Sequence, residues 1–152
     1  MKLSRKTRYA LGALVALARA PADRAVQVRQ LAEQEGVPAR FLEQIFQDLR
    51  RAGLVTGRRG PKGGFRLRRA AERITLLDVV RALEGPVRLR AAEQEHDTAG
   101  ASPNAEAVAA GLQAAEQRLE AALTTPTLAE LAAEADRLER RRNVPRSYTY
   151  VI

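Results

Sequence analysis

The sequence predicts a mainly α-helical protein with one small β-hairpin, and three observations carry that reading. Ala, Leu, Arg and Glu dominate while aromatic residues make up only 4% of the chain, a balance that favours helices packed through aliphatic side chains. Apolar residues recur at helical spacing along much of the 152 residues. The exception is residues 53–69, GLVTGRRGPKGGFRLRR, where short apolar runs flank a centre rich in Gly, Pro and Arg. Gly and Pro supply turn angles that other residues resist, so this segment reads as a hairpin turning around Gly60 to Gly64, with cations at its tip.

Residues 1–20 join a basic start to an apolar run, Tyr9 to Ala18, that superficially fits an export signal. They equally fit a helix capped by Ser4, with Leu3, Leu11, Leu14, Val15 and Leu17 on one face. The helix is the reading adopted, and a cytoplasmic location is expected. No segment approaches the run of about 20 apolar residues that a bilayer requires, so no membrane contact is expected. Pro21 breaks the helix, and Val26 to Val28 make a brief extended lead into a second one, 29–35, ended by Gly36. A third helix starts at Pro38 with Leu42, Ile45, Phe46 and Leu49 on its inner face, and Gly53 fits a left-handed cap after it. Its opposite face carries Arg40, Glu43, Gln44, Gln47 and Arg51. Two short helices joined by a Gly-containing turn and followed by a basic hairpin have the layout of a winged helix-turn-helix. There the second helix enters the major groove of DNA.

Thr75 to Asp78 has the form of a capping box for a helix that runs to Leu83 and stops at Gly85-Pro86, closing a first domain over 1–86. Residues 87–102 lose periodicity and read as a polar loop. A metal site from His96, Glu93, Glu95 and Asp97 would have one imidazole and no thiolate, so a solvated loop is the reading taken, with no metal or cofactor. Ser102-Pro103 opens a long helix to about Leu123, whose apolar stripe is Val108, Leu112, Ala115, Leu119 and Leu123. Such a stripe needs cover, either from its own chain or, the reading taken, from a second copy in a homodimer. Thr127 to Glu130 caps a further helix, which makes 103–142 the dimerisation region, and 143–152, NVPRSYTYVI, form an extended tail.

Charge points to a polyanion. Residues 1–90 hold twenty Lys/Arg against eight Asp/Glu, whereas 91–152 hold six against ten. Arg supplies twenty-three of the twenty-six basic residues, and its planar fork suits phosphate and guanine edges. Enzyme classes find little footing: there is no Cys, no phosphate-binding Gly loop with its Lys-Ser/Thr, no Ser-His pair near an acid and no metal-ligand set. An RNA-binding winged helix and a protein-interaction adaptor stay open as alternatives to a reader of double-stranded DNA.

From Met1 to Pro86 the chain resembles the Rrf family of bacterial winged-helix regulators, the IscR, NsrR and CymR group. The resemblance rests on KLSRKTRYAL, LAEQEGVPARFLEQIFQDLRRAGLV, RGPKGGFRL and ITLLDVVRALEGP, in that order and spacing. It implies a winged helix-turn-helix with a long-helix dimer that represses or activates promoters, repression first. It also implies that Pro38, Ala39, Arg40, Phe41, Glu43 and Gln44 enter the major groove. Arg58, Arg59 and Lys62 would then follow the minor groove, with Gly60, Gly63 and Gly64 allowing close approach, and Arg5, Lys6 and Arg8 would touch phosphate. Many members hold an iron-sulfur cluster through cysteines in the loop after the first domain, and the matching loop here has none. The nearest type is therefore the cluster-free regulator of cysteine metabolism, which binds cysteine synthase. The ending YTYVI resembles the isoleucine-terminated peptides that partners insert into that enzyme, which would make Tyr148, Tyr150, Val151 and Ile152 the contact residues. The other reading has residues 148–152 pairing as a strand or covering the dimer core.

Overall fold

The computed structural model describes residues 2–89 and 102–143. Helix α1 (Arg5–Arg19) leads through an extended segment to α2 (Val28–Glu35) and α3 (Ala39–Arg51), then to strands β1 (Val55–Arg58) and β2 (Gly64–Leu67). A short 3-10 turn precedes α4 (Leu76–Glu84), and α5 (Pro103–Thr124) and α6 (Leu128–Asn143) follow. The capping chemistry read from the sequence is present. Ser4 Oγ accepts from Thr7 N at 3.2 Å, Thr75 and Asp78 exchange both capping-box bonds, and Ser102 Oγ accepts from Ala105 N at 3.3 Å. Thr127 and Glu130 repeat the box at the start of α6.

The core forms where the inner faces of α1, α2 and α3 meet. Leu14, Leu31, Leu42, Ile45, Phe46 and Leu49 are fully buried there, and deep burial of aliphatic groups is the main favourable term in folding. Gly36 sits at φ 64, a left-handed angle that lets Val37 N donate back to Ala32 O at 2.9 Å and swings α3 across α2. After α3, Gly53 takes φ 72 as expected, and Leu54 N donates to Leu49 O at 3.0 Å, which turns the chain into β1.

β1 and β2 pair antiparallel with Val55 opposite Leu67 and Arg58 opposite Gly64. Val26 extends the ladder on the other edge of β2, exchanging two 2.8 Å bonds with Phe65. The extended lead into α2 therefore serves as a third rung of the hairpin. At Gly64, φ is 142 and an added Cβ would stand 2.3 Å from Val26 O, so only glycine permits this close approach.

Two features tie distant parts of the chain to α1. Glu84, at the end of α4, accepts from Ser4 N at 2.9 Å and from Thr7 Oγ1, placing a carboxylate at the N-terminus of α1 where the helix dipole favours it. These bonds, from Ser4 and then Thr7, hold its pKa below the usual carboxyl range. The second is α6, which lies against α1. Leu128 joins the same core, its N–H donates to Ile74 O at 2.8 Å, and Arg19 pairs with Asp136 at 2.6 Å and with Glu139. Helix α5 touches the rest through Leu119 and Leu123, which pack on Leu77, Val80 and Val87. No described helix is long and apolar enough to cross a membrane.

Two outcomes follow for stability. Glu84→Ala lowers unfolding free energy at pH 7 by about 1 kcal/mol, discounted for the exposure of the carboxylate. Because the folded pKa is depressed, that contribution is present above the unfolded carboxyl range and fades as pH falls through the folded pKa. Denaturant melts of variant and parent should begin to draw together as pH falls below the unfolded carboxyl value, about 4.3, and meet only below the depressed folded pKa. Gly64→Ala adds a clash with Val26 to backbone strain, for a loss of about 3 kcal/mol, while Gly36→Ala, with open space around the new Cβ, loses about 1 kcal/mol from φ alone in the same melts.

Candidate nucleic-acid interface

Helix α3 separates its residues cleanly. Leu42, Ile45, Phe46 and Leu49 are buried, while Arg40, Phe41, Glu43 and Gln44 are exposed. Pro38 occupies the N-cap position and Ala39 the first helical one, one residue later than the sequence suggested, because Pro38 has non-helical angles. The exposed set thus lies in the first turns of α3, where a helix laid into a groove meets base edges.

An aromatic contact helps to fix the wing relative to that helix. Phe65 of β2 packs on Phe46 of α3 with ring centroids 4.9 Å apart. Leu54 and Val55 are buried beside it, so the hairpin base belongs to the core while its tip is free. The tip turns through a 2.8 Å bond from Gly63 N to Gly60 O, and a Cβ on Gly63 would stand 2.4 Å from Arg58 O. Arg58, Arg59 and Lys62 are exposed there, and none of them forms an ion pair among the described residues. Unpaired cations held close repel one another, which favours an incoming polyanion.

Helix α1 brings a third group alongside. Tyr9 meets the ring of Phe41 edge-on, with centroids 6.0 Å apart and planes at 89°. Arg5 and Arg8 are exposed on α1 without ion pairs among the described residues. Lys6 is differently placed. Its ammonium lies 2.6 Å from Asp48 of α3, and Arg51 reaches the other oxygen of that carboxylate at 3.0 Å. The hydrogen bond from Lys6, and then the charges of Lys6 and Arg51, hold the pKa of Asp48 below the ordinary carboxylate range. Lys6 therefore braces α1 to α3, a role that spacing within the first helix did not announce.

Sequence reasoning also passed over Arg24 and Gln27. Both line a cleft of about 660 Å³ between the segment before α2 and the wing, together with Arg58 and Lys62, and Gln27 Nε2 approaches Pro61 O at 3.5 Å. Only the pairing of Val26 with Phe65 brings them there, and no local pattern signals that pairing. A larger cleft of about 960 Å³ lies between α1, α2 and α6, but Glu33, Glu35, Asp136 and Glu139 on its walls are the wrong sign for phosphate.

The stripe read as a dimer face divides. Val108 is 62% exposed, Ala115 is exposed and Leu112 half-buried, whereas Leu119 and Leu123 turn onto α4. Tyr148, Tyr150, Val151 and Ile152 lie outside the described residues, as does most of the loop with His96.

Comparison with known proteins gives a consistent picture. Residues 3–134 match the Rrf2 family, described as an iron-dependent transcriptional regulator. The transcriptional regulator IscR of Cereibacter sphaeroides is 42% identical over 104 residues, covering 67% of this chain and 64% of that protein. CymR of Bacillus subtilis is 37% identical over 87 residues, 57% of this chain and 63% of that one. The chain thus spans less than two thirds of the length of these curated relatives. In three dimensions the structure of CymR, the global cysteine regulator of B. subtilis, aligns with a TM-score of 0.73 at 28% identity, covering 88% of this chain and 98% of that one. The T. potens IscR structure aligns at 0.71 and 27% identity, covering 91% of each.

Proposed function

Because the chain belongs to the Rrf2 family of transcriptional regulators, we propose that it is a homodimeric, sequence-specific reader of duplex DNA that controls promoters, first as a repressor. One observation carries this reading. The exposed first turns of α3 stand beside a glycine-turned hairpin whose Arg58, Arg59 and Lys62 have no ion-pair partner among the described residues. In this reading Pro38, Ala39, Arg40, Phe41, Glu43 and Gln44 face the major groove, with Glu43 accepting from a cytosine amino group. Arg58, Arg59 and Lys62 follow the minor groove or its phosphates, Gly60, Gly63 and Gly64 let the backbone approach, and Arg5 and Arg8 meet the flanking strand. Lys6 adds phosphate contact with the ammonium protons that Asp48 leaves free.

Dimerisation is assigned to the part of α5 from Val108 to Ala115, where Val108, Leu112 and Ala115 are the least covered part of the stripe. Two-fold pairing would set the reading heads on half-sites about 34 Å apart, one helical turn. The iron in the family description cannot be held here as a cluster on cysteines. The sequence has no Cys and one His, and among the described residues no three His, Cys, Asp or Glu stand together as metal ligands.

The likeness to CymR, whose structure is that of a global cysteine regulator, supports a reading of the pathway. Sulfur or cysteine metabolism is the proposed target, with cysteine synthase as a partner for the tail. A site built for an amino-acid carboxylate would accept the terminal carboxylate of Ile152, while Val151 and Tyr150 fill the apolar cleft around it.

Two measurements check these assignments. Arg59→Ala should lower affinity for a selected operator about tenfold and reduce the slope of log affinity against log salt by about one, with two protomers per duplex in the complex. An unchanged slope removes Arg59 from the interface. Deleting Ile152 should abolish co-purification with cysteine synthase and leave operator binding intact, and equal capture by both forms rules the tail out.

A further inference from the structure

We propose that Phe41, held upright by Tyr9, reads the 5-methyl group of thymine and so fixes one thymine in each half-site. The inference rests on the DNA-reading function above and names a base that this face selects. Phe41 is 40% exposed, whereas Leu42 and Ile45 on the buried side of the same helix are fully covered. Its neighbours on the outer face, Arg40, Glu43 and Gln44, are polar or charged. Among the described residues the other large exposed apolar side chains, Leu89, Val108 and Leu138, lie on other parts of the chain. Phe41 thus keeps apolar ring surface uncovered in the first turn of an otherwise polar face.

Tyr9 supplies the order that makes the ring useful. It is half-buried and packed against the core, and it meets Phe41 edge-on at 6.0 Å and 89°. The contact limits the rotamers of Phe41 without covering it, so less side-chain freedom is lost on binding. The surroundings favour a nucleic acid over an apolar protein partner, because Arg5 and Arg8 stand on the same helix as Tyr9 without ion pairs among the described residues. Of the four bases only thymine presents a methyl group in the major groove, and a phenyl ring is an apolar surface suited to it. Burying one methyl there is worth about fourfold in affinity.

The experiment begins by selecting an operator from random duplexes with the full-length protein, then replaces each thymine of a half-site in turn by deoxyuridine. That base keeps thymine's hydrogen-bonding groups and lacks only the methyl. One position should weaken the unaltered protein about fourfold. Phe41→Ala should bind the thymine and deoxyuridine duplexes equally, Phe41→Leu should keep most of the discrimination, and Tyr9→Ala should reduce it. Thermal melts confirm that each variant is folded, and the deoxyuridine series on the unaltered protein stands without them. The inference is overturned if no deoxyuridine weakens binding, or if Phe41→Ala loses as much as the parent at the sensitive position. If no duplex is enriched in the selection, the DNA-reading function fails and this inference with it. A preferred operator indifferent to deoxyuridine sinks only the inference.

Discussion

The packing of Phe65 on Phe46 is the contact on which the proposed DNA-facing surface depends. Helix α3 and the hairpin are each too small to hold a geometry alone, since an isolated two-stranded hairpin is marginal in water. With Phe46 fully buried and the ring of Phe65 packed on it at a tilt, the inner face of α3 becomes the floor of the hairpin. Whatever the outer face of α3 and the tip around Arg59 do, they do as one rigid part. Val26, paired to the free edge of β2, makes α2 part of the same block.

Charge works inside this block in two opposite ways. Lys6, Asp48 and Arg51 form a closed set that braces α1 against α3, and Glu84 secures the start of α1 from the end of α4. At the hairpin tip the cations are left open. Surface ion pairs add little stability one by one, so the value of the inner set lies in orientation: it holds Tyr9 beside Phe41 and keeps Arg5 and Arg8 facing outward.

Much of this was legible in the sequence. Ser4, Thr75, Ser102 and Thr127 announced their helices because capping is a local contract between residues three apart. Gly36 and Gly53 announced the turns on either side of α3 because few other residues take those angles. The division of α3 into inner and outer residues followed from spacing alone. What stayed hidden was long-range. Nothing near Val26 says that it pairs with Phe65, nothing near Lys6 says that it meets Asp48, and nothing near Leu128 says that α6 returns to α1. The stripe on α5 was visible as a stripe, but its division between α4 and open surface depends on a meeting of helices some forty residues apart in sequence, as Arg81 and Glu120 also show.

That meeting makes α5 a lever. A helix of 22 residues is about 33 Å long, and among the described residues this one is rooted in its second half, at Leu119 and Leu123, at Glu120 beside Arg81 and at Glu116, which accepts from Leu89 N at 2.6 Å. The root is backed by the turn into α6, where Leu76 N bonds to Pro126 O at 3.0 Å. A swing of about six degrees at the root moves the far end by about 3 Å, close to the rise of one base pair. A load on the far end of α5 therefore reaches α4 as torque rather than as contact.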